Sequence, residues 1–330
     1  MNGEAQEDQI LMARAAWLYH IGGLNQEAVA NRLGTTRARV NKMLAEARET
    51  GLVSVSIAPG NIGLLEIENT IKARYGLETC ICTPALGWDM RVPETEPLLS
   101  KFAFKAVGAA AASHLRAHLN ENADAVVGTG WGRTLEQLTL NFAGVAAPRA
   151  KFISLMGSLN ANSSYNPYEV VLSLARATGG EGYVMPVPFI ADSVEDRQVL
   201  LSQRTVRRTL EIARSTTVGY ISIGELKENS LLRRQDMVTA QEVSELRLAG
   251  AVGDTNGIFF DAEGQAVRHS LNDRTIALGF DDLRKSNMIA LVAGASKLTA
   301  ARGFLKSGVA KGLIVDGDTA LLLAEDGAKP

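Results

Sequence analysis

The sequence predicts an α/β protein: a small N-terminal helix-turn-helix unit followed by a large C-terminal α/β domain. Three observations predict it. From Leu77 onward, short apolar runs alternate with helical patterns, the signature of a mainly parallel sheet covered on both faces. The first fifty residues instead carry three short helical patterns separated by glycines. At 330 residues, 46% hydrophobic and 21% charged, the chain can bury a sizeable core and divide into a small and a large unit. The expected division is 1–57 for the helix-turn-helix, 58–76 for a linker and bridging helix, and 77–330 for an effector-binding and oligomerisation domain.

Residues 7–21 read as a first helix, with Ile10, Leu11, Ala15, Leu18 and Ile21 near helical spacing before Gly22-Gly23. Asn25 is placed to cap a second helix, Gln26–Leu33. Gly34-Thr35-Thr36 forms a tight turn, and Thr36 is placed to cap a third helix reaching Thr50. Val53, Val55 and Ile57 alternate with serines as a short strand, and Ala58-Pro59-Gly60-Asn61 is the best linker candidate. A bridging helix, Leu64–Tyr75, follows.

Strands are then expected at 77–83, 125–128, 152–156, 182–187, 218–223, 257–261, 276–280, 288–292 and 313–315. Helices are expected at 98–119, 134–142, 168–177, 196–214, 241–249, 296–307 and 318–324. The most apolar helical stretch, Ala106–Ala112, is too short to span a bilayer, and the acidic, polar N-terminus lacks the apolar run of a signal peptide. The expected location is therefore cytoplasmic. Cys80 and Cys82 share one face of a strand and are badly placed to bridge each other, so both are expected reduced.

The run Gln26–Leu44 has helix-turn-helix spacing. Ala30 is small where the helices cross, Gly34 sits where the turn needs positive φ, and Val29, Leu33, Val40 and Leu44 face inward. Thr36, Arg37, Arg39, Asn41 and Lys42 remain on or beside the exposed face of the second helix. Arg pairs with guanine, Asn with adenine, and Lys or Thr positions phosphates. The net charge of −2 does not exclude DNA, because Arg32, Arg37, Arg39, Lys42 and Arg48 concentrate positive charge where phosphates would lie.

In the large domain, Gly130-Trp131-Gly132-Arg133-Thr134 follows a strand and opens a helix, bringing backbone N–H groups and two side-chain donors to a ligand. Gly250–Asp254 reads as a glycine-rich turn carrying an acid, Gly294–Lys297 places a lysine in a first helical turn, and Asp316 ends a strand. The ends of parallel strands converge on one crevice, and a lysine with two aspartates there suits vicinal hydroxyls, with or without a phosphate. Trp131 either stacks on a sugar ring or packs in the core. His114 and His118 have metal-ligand spacing without a third ligand, so no metal is expected, and no cofactor.

Together, Gln26–Leu44, Gly130–Thr134, Gly250–Asp254, Phe260–Gly264 and the Lys297 and Asp316 segments resemble the SorC family of sugar-responsive bacterial regulators, grouped beside the DeoR type. The resemblance implies a large domain similar in fold to glucosamine-phosphate deaminase and ribose-phosphate isomerase. It also implies a homodimer or homotetramer on operator DNA, and a sugar, polyol or sugar-phosphate effector. The expected function is a repressor of a carbohydrate or polyol operon rather than an enzyme.

By position, Arg133, Thr134, Asp254 and Lys297 match the effector contacts, with Asn166 beside them; Gly130, Trp131, Gly132 and Asp316 complete the expected site. The chain departs from phosphate-sensing relatives, with Met156 where they carry arginine and Arg133-Thr134 where they carry two threonines. Others end with Thr-Asp-Glu where Val315-Asp316-Gly317 stands. The segments Tyr183–Phe189 and Glu195–Arg197 resemble the subgroup governing polyol use, such as erythritol. The rival expectation is a sugar-phosphate isomerase or deaminase using Asp254, Lys297 and Asp316 as acid and base.

Overall fold

The computed structural model describes residues 2–53, 64–87, 96–158, 166–227 and 230–325. They divide into two units, Met1–Ser56 and Ile57–Pro330. The expected Ala58–Asn61 linker, with Val55 and Ile57, lies outside the described residues.

The first unit is built from helices α1 (Asn2–Ala16), α2 (Gln26–Leu33) and α3 (Arg37–Glu49). A wide π turn, Trp17–Ile21, continues α1 as far as the expected glycine stop. Asn25 and Thr36 cap as expected: their side chains accept from the N–H groups of Ala28 (2.9 Å) and Arg39 (3.2 Å). Gly34 takes φ +63°, the left-handed turn that lets α2 and α3 cross. Val29, Ala30, Val40 and Leu44 pack with Met12 and Ala15 into one core. Val53 is not a strand residue; its N–H donates to Ala47 O at 2.9 Å and closes α3.

The second unit holds α4 (Leu65–Tyr75), β1 (Thr79–Cys82), α5 (Glu96–Glu121), β2 (Val126–Thr129), α6 (Arg133–Leu140) and β3 (Lys151–Ser158). Next come α7 (Pro167–Thr178), β4 (Glu181–Pro188), α8 (Val194–Ser202), α9 (Arg204–Arg214), β5 (Val218–Ser222) and β6 (Gly224–Glu225). It continues with α10 (Leu231–Arg234), α11 (Ala240–Leu248), β7 (Ala251–Thr255), β8 (Ile258–Asp261), α12 (Ser270–Arg274) and α13 (Phe280–Leu283). The last elements are β9 (Asn287–Val292), α14 (Leu298–Lys306), β10 (Ala310–Val315) and α15 (Gly317–Glu325).

The main sheet is parallel, in the order β1-β10-β9-β5-β2-β3-β4. Helices α5, α6 and α7 cover one face through Val107, Leu115, Leu135, Leu138 and Leu174. Helices α4, α9, α14 and α15 cover the other through Ile71, Val206, Phe304 and Leu323. From β2 the chain proceeds outward to β3 and β4, and from β5 toward β9 and β10. The crevice at the ends of β2 and β5 is thus the topological switch point, where open α/β sheets bind ligands.

Three expectations are corrected. Residues 276–280 are no strand of the sheet: Gly157 N–H donates to Ile276 O and Leu278 N–H to Leu155 O, stitching the segment into the bulge between β3 and β4. Phe280 then opens α13. The helix expected over 196–214 is two, because Gln203 is extended (ψ 134°) and re-aims α9 so that Val206, Leu210 and Ala213 reach the core. The turn expected over 250–254 is strand β7, and only Gly250, at φ +86°, turns. A small antiparallel sheet, β6-β7-β8, therefore stands beside the main one.

Candidate functional sites: a helix-turn-helix face and a buried polar cavity

In the first unit, Thr36, Arg37, Arg39, Asn41 and Lys42 are all exposed. The inward side of α3 is fully used by Val40, Met43, Leu44 and Ala47, so the helix can turn only its polar side outward. Arg39 is held back, its Nη2 lying 2.9 Å from Asp8 Oδ1 on α1. Asn41 Oδ1 accepts from Gln26 Nε2 at 3.3 Å. An ion pair this exposed contributes only about 0.2–1 kcal/mol, so a phosphate or guanine competes for Arg39 easily.

In the second unit, the ends of β2, β5, β6 and β7 and the loop after β9 enclose a cavity of about 50 Å³, space for a few waters. Trp131, Gly132, Arg133, Thr134, Asp254 and Lys297 line it, so three of the four expected segments, far apart in sequence, meet here. Gly132 (φ +113°) caps α6 without a side-chain bond, leaving the first-turn N–H groups aimed at the cavity end of the helix. Thr134 is 1% exposed, and its Oγ1 has no partner among the described residues.

Two cations and two acids meet at the wall, and Lys227 Nζ lies 3.6 Å from Glu225 Oε2. The Arg133 guanidinium lies over the Phe104 ring at 4.2 Å, and Lys297 Nζ lies 5.4 Å from the same ring. Burial lowers the Lys297 ammonium to about 8, helped by Arg133 and opposed by Glu225, Asp254 and Asp316. Burial likewise raises the Asp254 carboxyl to about 6, against the Gly257 N–H that donates to Oδ2 at 3.2 Å and the nearby Lys297. Glu225, on the cavity wall, has a buried Oε2 that accepts no hydrogen bond among the described residues.

The other expected residues have different positions. Asp316 faces a separate, apolar cavity of about 250 Å³ with Leu86 and Phe102. Its carboxylate is taken up by the N–H of Gly294 (2.7 Å) and by the N–H and hydroxyl of Thr319 (3.0 Å each), fixing the loop that carries Lys297. Asn166 caps α7, accepting from Tyr168 N–H at 3.3 Å, and is not in the cavity wall. Gly130 lies behind the wall, its N–H donating to Tyr220 O at 2.9 Å. Trp131 packs as the core alternative expects, 6.5 Å from the Phe189 ring, and also lines the cavity. Met156 is fully buried in that cluster.

Sequence reasoning missed Phe104, Ser222, Glu225 and Ser230, which share the wall with Ile223, Gly224, Leu231 and Leu232. Ser222 Oγ donates to Trp131 O at 2.7 Å and fixes the loop. One signal was available: Asn256-Gly257 is the strongest short hairpin motif, and it would have placed Asp254 on a strand. None of the four histidines lines the cavity. Among the described residues, no group of three or more His, Cys, Asp or Glu could hold a metal, and no helix is long and apolar enough to cross a membrane.

A family model described as "Putative sugar-binding domain" matches residues 60–325. The chain is 36% identical to the erythritol catabolism regulatory protein EryD of Brucella abortus (strain 2308), over 97% of this chain and 98% of that one. The chain belongs to this sugar-binding family of transcriptional regulators, the SorC type. Another relative is the deoxyribonucleoside regulator of Bacillus subtilis (strain 168), 26% identical over 97% of this chain and 99% of that one. The full-length sorbitol operon regulator SorC of Klebsiella pneumoniae has the same fold, with a TM-score of 0.72 at 21% identity, over 96% of this chain and 99% of that one. The SorC-type fold accounts for the parallel sheet with its cavity at the switch point.

Proposed function

We propose that this regulator binds operator DNA through α3 and takes one small, uncharged polyhydroxy effector in the cavity of its second unit. Thr36, Arg37, Arg39, Asn41 and Lys42 form the DNA face. Trp131, Gly132, Arg133, Thr134, Asp254 and Lys297 bind the effector, with Asp316 and Gly130 supporting the loops around them and Asn166 holding α7. The observation that carries the reading is the cavity itself: buried Lys297 and half-buried Arg133 face buried Asp254 and half-buried Glu225.

Such a wall offers donors and acceptors of both signs to vicinal hydroxyls, with Lys227 3.6 Å from Glu225 Oε2 beside it. A phosphate would bring about −1.5 to −2 of charge up to Asp254 and Glu225, so a free polyol fits better than its phosphate. The likeness to EryD supports a four-carbon polyol such as erythritol. The chain acts as a homo-oligomer in the cytoplasm, and the effector selects between arrangements that differ in operator affinity. Fluorescence anisotropy of operator DNA, titrated with erythritol and its phosphate, tests this. Release by the free polyol marks a repressor, whereas a response to neither compound, or to the phosphate alone, refutes the assignment of an uncharged effector.

A further inference from the structure

The turn between β7 and β8 carries a polar group that the cavity does not explain. Thr255 pairs with Ile258, so Asn256 and Gly257 form a two-residue hairpin loop, with φ +48° and +70°. That is the geometry of a type I′ turn, and it accounts for the Asn-Gly backbone. It does not account for the side chain. Turn asparagines ordinarily face water, yet Asn256 is 2% exposed, and neither its Oδ1 nor its Nδ2 has a hydrogen-bond partner among the described residues. A buried amide left unpaired is costly, and in native proteins such a group marks a bound partner, an ordered water or an ion.

Its position is specific. A Cβ on Gly130 would come within 2.5 Å of Asn256 Oδ1, so only glycine there leaves room for the amide. Neither Gly130 nor Asn256 is itself in the cavity wall, but Gly130 directly precedes Trp131 and Gly132 of it, and Asp254 of the same wall lies two residues before Asn256. Any side chain on Gly257 would run into the Phe189 ring, which holds the turn against the Trp131 cluster. The amide is thus fixed beneath the glycine loop that opens α6, with one acceptor and two donor positions unused.

We propose that Asn256 is a specificity-determining residue, whose amide extends the effector cavity beneath Gly130 and pairs with one hydroxyl of a polyhydroxy effector. The inference rests on the function proposed above and assigns a hydroxyl-reading role that composition and motif do not. An effector lacking that hydroxyl leaves the amide unpaired and is rejected, which selects by hydroxyl pattern rather than by charge.

The test uses the full chain and calorimetry with erythritol and its two deoxy analogues, 1,2,3-butanetriol and 1,2,4-butanetriol. Asn256→Gly keeps the positive φ and removes only the amide. The wild type is expected to bind erythritol at least tenfold more tightly than one of the butanetriols. Asn256→Gly is expected to bind erythritol about tenfold more weakly, to lose that discrimination, and to melt within a degree or two of the wild type. Unchanged erythritol affinity and unchanged discrimination in Asn256→Gly overturn the inference while the effector reading stands; the amide then serves an internal water. A uniform loss with discrimination retained overturns it equally. A wild type that binds none of the three overturns both this inference and the effector reading.

Discussion

The two polar regions of this regulator are built in opposite ways. The proposed DNA face of α3 is exposed, contiguous in sequence and weakly constrained: its residues lie within seven positions, and Arg39 is tethered by a surface pair with Asp8. The proposed effector cavity is assembled from six stretches of chain, and its Asp254 and Lys297 have been taken out of water. Changes on the first surface should alter one interaction and little else. Changes in the cavity act on charges that face one another, so their effects are larger and coupled.

The largest expected effect is in the cavity. Lys297→Met removes a buried cation that faces Asp254 and Glu225. Losing one partner of a buried charged set costs about 2–5 kcal/mol, so erythritol affinity should fall by about 30-fold or more by calorimetry. Operator affinity in the absence of effector should stay unchanged by anisotropy. A matching loss of operator affinity would break the separation of the two regions.

Next in size is Arg37→Ala, expected to weaken operator binding by about 1–3 kcal/mol if Arg37 reads a base, with effector affinity unaltered. If it contacts only phosphate, the loss is uniform across sequences and the salt slope falls by about one. Comparing operator with scrambled DNA over a range of salt separates these outcomes.

The pH profile sharpens the contrast further. Asp254 titrates at about 6 instead of 3.8, so the folded effector-free protein holds that proton more tightly than the unfolded chain. Stability should therefore fall as pH rises from 3.8 to about 6. Lys297 titrates at about 8 instead of 10.5, so stability should recover as pH rises across that interval. Effector affinity should run the other way, because the carboxylate accepts and the ammonium donates: highest between about 6 and 8, and falling on both sides. Calorimetry from pH 5 to 9 checks it, and a flat profile would remove both groups from the contact. The smallest effect is Asp8→Asn, which frees Arg39 for about 0.2–1 kcal/mol of stability and should leave operator binding equal or slightly tighter.

The same contrast explains what the sequence could tell. Helix-turn-helix spacing is local, so the caps Asn25 and Thr36, the Gly34 turn and the outward face of α3 could all be read directly. The parallel sheet was legible because each buried strand is a continuous apolar run. Residues 276–280 share that pattern, since alternate residues are equally buried when a segment is stitched into a bulge. Cavity segments could be found from glycines and charges at strand ends. Which charge points into the cavity could not: Asp254 and Asp316 look alike in sequence, and only the fold gives Asp316 three donors of its own. Glu225 was hidden because its strand, β6, has two residues and no period to read.

The measurement closest to the central claim is a thermal-shift comparison of the wild type and Lys297→Met against free polyols, free sugars and their phosphates. A ligand bound only by the folded state, at about 100-fold above its Kd, adds about 2.7 kcal/mol. The account predicts a clear rise in Tm for the wild type with erythritol, little with its phosphate, and none in Lys297→Met. An equal rise in both proteins, or no rise with any compound, would contradict an effector site in this cavity.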